Sequence, residues 1–144
     1  MEITDISQLD PQATYSYADY LTWKFAETVE LLRGKLVRMA APKTQHQEIV
    51  LTFGTLFRTY LRGKPCKVYV APFDVKLYDR KKSLVADRDI FTVVQPDICI
   101  ICNIAQIDNR GCNGAPDLIV EVVSAPQNNA ICTTKKTFTP RRAY

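Results

Sequence analysis

The stretches VVQPDICIIC (residues 93–102) and PDLIVEVVS (residues 116–124) decide how this chain folds. Both are rich in Val and Ile, the composition of strands buried on both faces of a sheet. Each carries an acid inside its oily run, Asp97 in the first and Glu121 in the second. A bare charge in such a place is costly unless a cation, a metal or a protonation shift compensates it. The two acids point to neighbouring strands that share a metal ion. Along the second run, Asp117, Ile119, Glu121 and Val123 fall on one face, and Leu118, Val120 and Val122 on the other. Asp117 follows Pro116 and reads as a strand cap more readily than as a ligand.

Outward from these runs the punctuation is clear. NIAQIDNRGCNGA joins them, with turn residues from Asn109 to Gly114. CKVYV (66–70) reads as a strand. PFDVKLY (72–78) reads as a half-buried one, with Phe73, Val75 and Leu77 inward and Asp74, Lys76 and Tyr78 outward. DRKKSLVADRD (79–89) reads as a charged loop. Thr44 followed by Gln47 is a capping-box signature, and it predicts a helix to about Arg62, closed by Gly63 and Pro65. Ile49, Phe53, Leu56, Phe57, Tyr60 and Leu61 give that helix an apolar stripe. Nearer the N-terminus, TVELLR and LVRMAA flank Gly34 as a hairpin, and Ser16 with Asp19 opens a short helix.

Composition narrows the function classes. At 144 residues the chain is expected to form one domain with a real core. No apolar run approaches the ~20 residues of a membrane span, and no signal peptide is recognisable, so a cytoplasmic protein is expected. Five cysteines (Cys66, Cys99, Cys102, Cys112 and Cys132) are expected to be reduced. Cys99 and Cys102 form a C-x-x-C, but on a strand they point to opposite faces, and with a single histidine a zinc site is disfavoured. Lys and Arg number 19 against 15 acids, yet four of the 19 are Lys135, Lys136, Arg141 and Arg142. The rest of the chain is balanced, so overall charge carries no nucleic-acid argument. After Ser124 the stretch APQNNAICTTKKTFTPRRAY has no helical stripe, no strand alternation and no acid. Residues 125–144 are expected to be a loose tail behind a domain of residues 1–124.

Pro96-Asp97, followed on the next strand by Glu121, resembles the PD-(D/E)XK nuclease core. The stretches YSYADYLTW, VELLRGKLVRMAAP, HQEIVLTFGTLFRTYL, RGKPCKVYVAPFDVKL, VVQPDICIIC and RGCNGAPDLIVEVVS are similar to a bacterial family of restriction-endonuclease-like proteins, over roughly residues 15–124. The resemblance implies an α/β fold, a mixed sheet flanked by helices, and a metal-dependent endonuclease hydrolysing DNA. It implies Asp97 and Glu121 as ligands of Mg²⁺ or Mn²⁺, and Glu30 as a further acid near the site. His46 matches a recurrent family position. DNA is the implied partner, a membrane is not, and a homodimer is compatible with it.

The chain also departs from the pattern. Val123 stands where a lysine follows the Glu by two residues. The family's lysine-bearing helix and final strand are not recognisable after Ser124, as a shift of reading frame would produce. Loss of one electrostatic stabiliser can cost about 10²–10³ in rate. The alternatives to an active nuclease are therefore an inactive nuclease fold that binds or scaffolds, and a truncated product with a damaged core.

Overall fold

A computed structural model describes residues 2–78, 86–124 and 130–135, the last six and Ser124 as backbone. In chain order the elements are α1 (Tyr17–Tyr20), β1 (Val29–Leu32), β2 (Lys35–Arg38), α2 (Thr44–Tyr60), β3 (Lys67–Val70), β4 (Asp74–Leu77), β5 (Thr92–Val94), β6 (Ile98–Ile101), β7 (Gly111–Asn113), β8 (Leu118–Ser124) and β9 (Ala130–Lys135). The class is α/β, as expected. The chain divides into two compact units. One holds the described residues of Met1–Ala41 and Lys76–Val94, the other those of Pro42–Val75 and Gln95–Arg142.

The first unit is built on the expected hairpin. Arg33 and Gly34 both take positive φ, 49° and 79°, the geometry of the two-residue turn that matches strand twist. The Gly34 amide donates to the Phe91 carbonyl and its own carbonyl accepts from the Tyr15 amide. β1 pairs with β2, Glu30 standing opposite Val37, and with β5 through Leu31 and Val93. Ser16 and Asp19 cap α1 reciprocally, as their spacing predicts. Tyr17, Trp23, Val29, Leu31, Ile90 and Val93 form the core. One expectation fails here. Lys76, expected to face solvent, is 3% exposed, with its ammonium 5.3 Å from the centre of the Tyr17 ring. β4 is thus buried on both faces at Val75 and Lys76, and an aromatic face offsets part of the cost of hiding the cation.

The second unit is a sheet in the order β3-β6-β8-β9, with antiparallel pairs throughout. All four residues of β6 are buried, as the oily run predicts. The run does not form a single strand, however. It breaks at Gln95-Pro96-Asp97, because proline has no amide to give a ladder; β5 belongs to the first unit and β6 to the second. The expected turn at Asn109–Gly114 contains the strand β7. There Gly111 lies so close to the Asp74 carbonyl that any Cβ would overlap it. Within the stretch expected to be a loose tail, residues 130–135 form β9, paired along β8 from Ser124–Ala130 to Ile119–Lys135. Residues 125–129 and 136–144, with Lys136, Arg141 and Arg142, lie outside the described residues, as does the loop over 79–85.

Helix α2 begins one residue earlier than its capping signature implies. Lys43 is the N-cap and no side chain caps the helix. Gly54 of the helix faces Val70 of β3. Its apolar stripe is only half covered: no α2 residue is buried, and Leu51, Leu56 and Tyr60 are exposed.

The cysteines correct a second expectation. Cys66 and Cys102 are joined by a disulfide; continuing the β3–β6 register by one step makes them cross-strand partners. Cys99 and Cys112 are free and buried, in keeping with small apolar roles. Burial pushes the Cys99 thiol up to about 12, with the neighbouring Cys112 adding to it. A thiol held neutral in the folded chain but able to ionise near 9.0 when unfolded supports the fold below that pH and ceases to do so as pH climbs toward 12. Peptide mapping without reductant is expected to return a linked Cys66–Cys102 pair. Iodoacetamide near neutral pH is expected to modify Cys99 and Cys112 only after denaturant is added. Labelling of Cys99 in the native protein would contradict its burial.

Candidate functional site

Two Pro-Asp dipeptides, Pro96-Asp97 and Pro116-Asp117, open β6 and β8. The strands run antiparallel, Ile98 opposite Val120, Cys99 opposite Ile119 and Ile100 opposite Leu118. Each aspartate reaches the far end of the other strand. Asp97 Oδ2 accepts from the Val122 amide at 2.7 Å, and Asp117 Oδ2 accepts from the Cys102 amide at 2.7 Å. These are charge-assisted bonds, worth roughly 1.5–3 kcal/mol each. The capping reading of Asp117 is the one the geometry supports.

The two ends differ in what else reaches the carboxylate. Asp117 is exposed. Asp97 follows a fully buried Pro96, and its Oδ1 accepts from His46 Nε2 at 3.1 Å, both side chains being 17% exposed. That bond requires the hydrogen on Nε2. His46 is in the first turn of α2, so the helix sets the orientation of the acid. Its Nδ1 is buried without a hydrogen-bond partner. His46, whose role the sequence leaves open, thus touches one of the two acids that the oily runs single out.

One further step along the β6–β8 register puts Asp97 opposite Glu121. Directly opposed residues have Cβ atoms roughly 4.5–5.5 Å apart. Glu121 is half-buried in the middle of β8 and stands opposite Thr133 of β9. Thus the register brings together the two acids that the oily runs single out. Gln95, two residues before Asp97, donates from Nε2 to Asp74 Oδ1 at 2.9 Å, so Asp74, expected to be solvent-facing, is a half-buried acid held beside the same segment. Glu30 belongs to the first unit, half-buried at the centre of β1.

The family model described as Uma2, putative restriction endonuclease, matches residues 17–137. The chain belongs to this family. The match runs past Ser124 through β9, further than the motifs legible by eye. No curated protein matches the chain. The acids that this Uma2 family member brings together, Asp97 and Glu121, are hard oxygen donors. An ionised carboxylate has about four lone-pair sites; Asp97 uses one on each oxygen, and Glu121 stands opposite. No group of three His, Cys, Asp or Glu placed to hold a metal occurs among the described residues. Two carboxylates are what Mg²⁺ commonly takes from a protein, water and substrate phosphate completing its shell.

Sequence reasoning missed the second Pro-Asp as a partner of the first. The repeated dipeptide at the head of two apolar runs was the available signal. It follows that truncating either aspartate costs stability. Asp97→Ala and Asp117→Ala are each expected to lose about 1.5–3 kcal/mol in urea unfolding, whereas Asp97→Asn and Asp117→Asn, which keep an acceptor oxygen, lose less. His46→Ala is expected to cost little stability beyond its single bond. Equal stability of Asp117→Ala and the wild type would refute the clamp.

Proposed function

We propose that this protein is a metal-dependent endonuclease that hydrolyses DNA phosphodiester bonds. The observation that carries the reading is the opposition of Asp97 and Glu121 across β6 and β8, with Asp97 oriented by His46 and the Val122 amide. Asp97 and Glu121 would hold Mg²⁺ or Mn²⁺. A divalent ion held there supplies charge neutralisation for the scissile phosphate and a more acidic attacking water. The chain's own part is to present two opposed carboxylates, that of Asp97 with its direction fixed before substrate arrives. For Asp97 that preorganisation comes from one helix and one strand, so ligand geometry need not be assembled at the moment of reaction. Glu30 is assigned an assisting role on family resemblance.

A second reading, an inactive nuclease fold that only binds, is favoured by one observation. Val123, at the position where the PD-(D/E)XK pattern has its lysine, is a 48% exposed apolar side chain.

Plasmid nicking separates the two. Wild-type protein is expected to relax supercoiled DNA with Mg²⁺ or Mn²⁺ and to stop when the metal is chelated. Asp97→Asn and Glu121→Gln should each lower the rate by about 10²–10³. Glu30→Gln should lower it less and leave metal affinity unchanged. Activity that survives Glu121→Gln overturns the site, and a folded wild type that never nicks supports the binding reading.

A further inference from the structure

Where α2 ends, the chain turns through Gly63 (φ 74°) into β3. A cleft of about 310 Å³ opens there, lined by Arg58, Arg62, Lys64 and Lys67 together with Cys66 and Tyr69. The four cations are exposed, and none forms an ion pair with a described residue. Lys64 rests on the Tyr60 ring at 3.2 Å. Asp117, at the adjoining end of β8, has its carboxylate on the Cys102 amide. The Cys66–Cys102 disulfide ties the segment between Lys64 and Lys67 to β6, so the cations are held around the cleft by a short, anchored loop. Four cations with no acidic partner among the described residues thus crowd one place. Such a concentration repels itself and is stabilised by a polyanion, which gains further by releasing its own counterions.

We infer that the cleft formed by Arg58, Arg62, Lys64 and Lys67 is a docking surface for the phosphate backbone of duplex DNA. The choice of DNA over another polyanion rests on the nuclease reading above; the cation cluster does not. Arg58 lies twelve residues along α2 from His46, about 18 Å of helix axis, close to the rise of about five base pairs. The cleft therefore grips backbone at a distance from the reacting phosphate and contributes affinity and register without reading sequence.

The test is fluorescence anisotropy with a short labelled duplex over a salt series, in chelator so that nothing is cleaved. The variant Arg58→Gln/Arg62→Gln/Lys64→Gln/Lys67→Gln is compared with Lys24→Gln/Arg33→Gln/Arg38→Gln/Arg88→Gln, which removes as many charges from the other unit. Far-UV circular dichroism checks that both fold, and the single Arg62→Gln serves if the fourfold variant does not. The cleft variant is expected to flatten the log-affinity against log-salt slope by roughly three to four, and Arg62→Gln by about one, with the control close to wild type. Equal slopes for cleft variant and control overturn the surface, as does displacement of the duplex by polyglutamate at matched charge. Wild-type nicking with an unchanged cleft variant sinks the surface alone. Cleft-dependent binding by a wild type that never nicks sustains the surface and sinks the nuclease reading.

Discussion

Strands β6 and β8 are each opened by a Pro-Asp dipeptide, and each aspartate closes over the far end of the other strand. Proline ends the preceding segment because it cannot donate to a ladder. The aspartate then satisfies an amide that the partner strand would otherwise leave bare where pairing stops. The clamp fixes the register of the two most apolar segments in the chain. Register is the quantity that matters, because a slip of one residue would turn every side chain to the other face. With the register fixed, Glu121 has no choice but to stand opposite Asp97. The disulfide between Cys66 and Cys102 closes the β3–β6 pair at the Asp117 end, so β6 is pinned on both sides.

What makes one end of this clamp a candidate site is its asymmetry. At Asp117 the carboxylate is exposed and has one evident duty, to hold the Cys102 amide. At Asp97 the same duty is combined with a second bond from His46 and with the nearby Glu121. Two acids brought together in half-buried surroundings repel each other, and a divalent cation is the natural remedy. The register sets two carboxylates side by side at the Asp97 end of the clamp and one at the Asp117 end. Asp97 cannot be judged by truncation, because its removal also undoes the clamp; only a substitution that keeps the acceptor oxygen separates ligand from cap.

Much of this was legible from sequence. The oily runs with their acids, the Ser16–Asp19 cap, the Gly34 hairpin and α2 all follow from local pattern. The rest was decided by contacts that no local pattern encodes. His46 and Asp97 meet because α2 lies against the sheet, and nothing in either neighbourhood announces the other. Lys76 obeys the outward half of an alternating strand, yet it is buried, with its ammonium over the Tyr17 ring. Cys66 and Cys102 looked like reduced thiols by context, but strand register makes them partners. The stretch 130–135 lacks alternation and still pairs with β8, because an edge of unpaired backbone groups will accept a strand with little regard to its side chains.

On the proposed function, Asp97 and Glu121 act together on one divalent ion. Isothermal titration of Mn²⁺ into metal-free protein reads this out, with Asp117→Asn, which keeps an acceptor oxygen for the clamp and leaves both site acids in place, as the control. One ion per chain is expected for the wild type and Asp117→Asn, with loss of that binding in Glu121→Gln. Binding that persists in Glu121→Gln, or none in a folded wild-type sample, would contradict it.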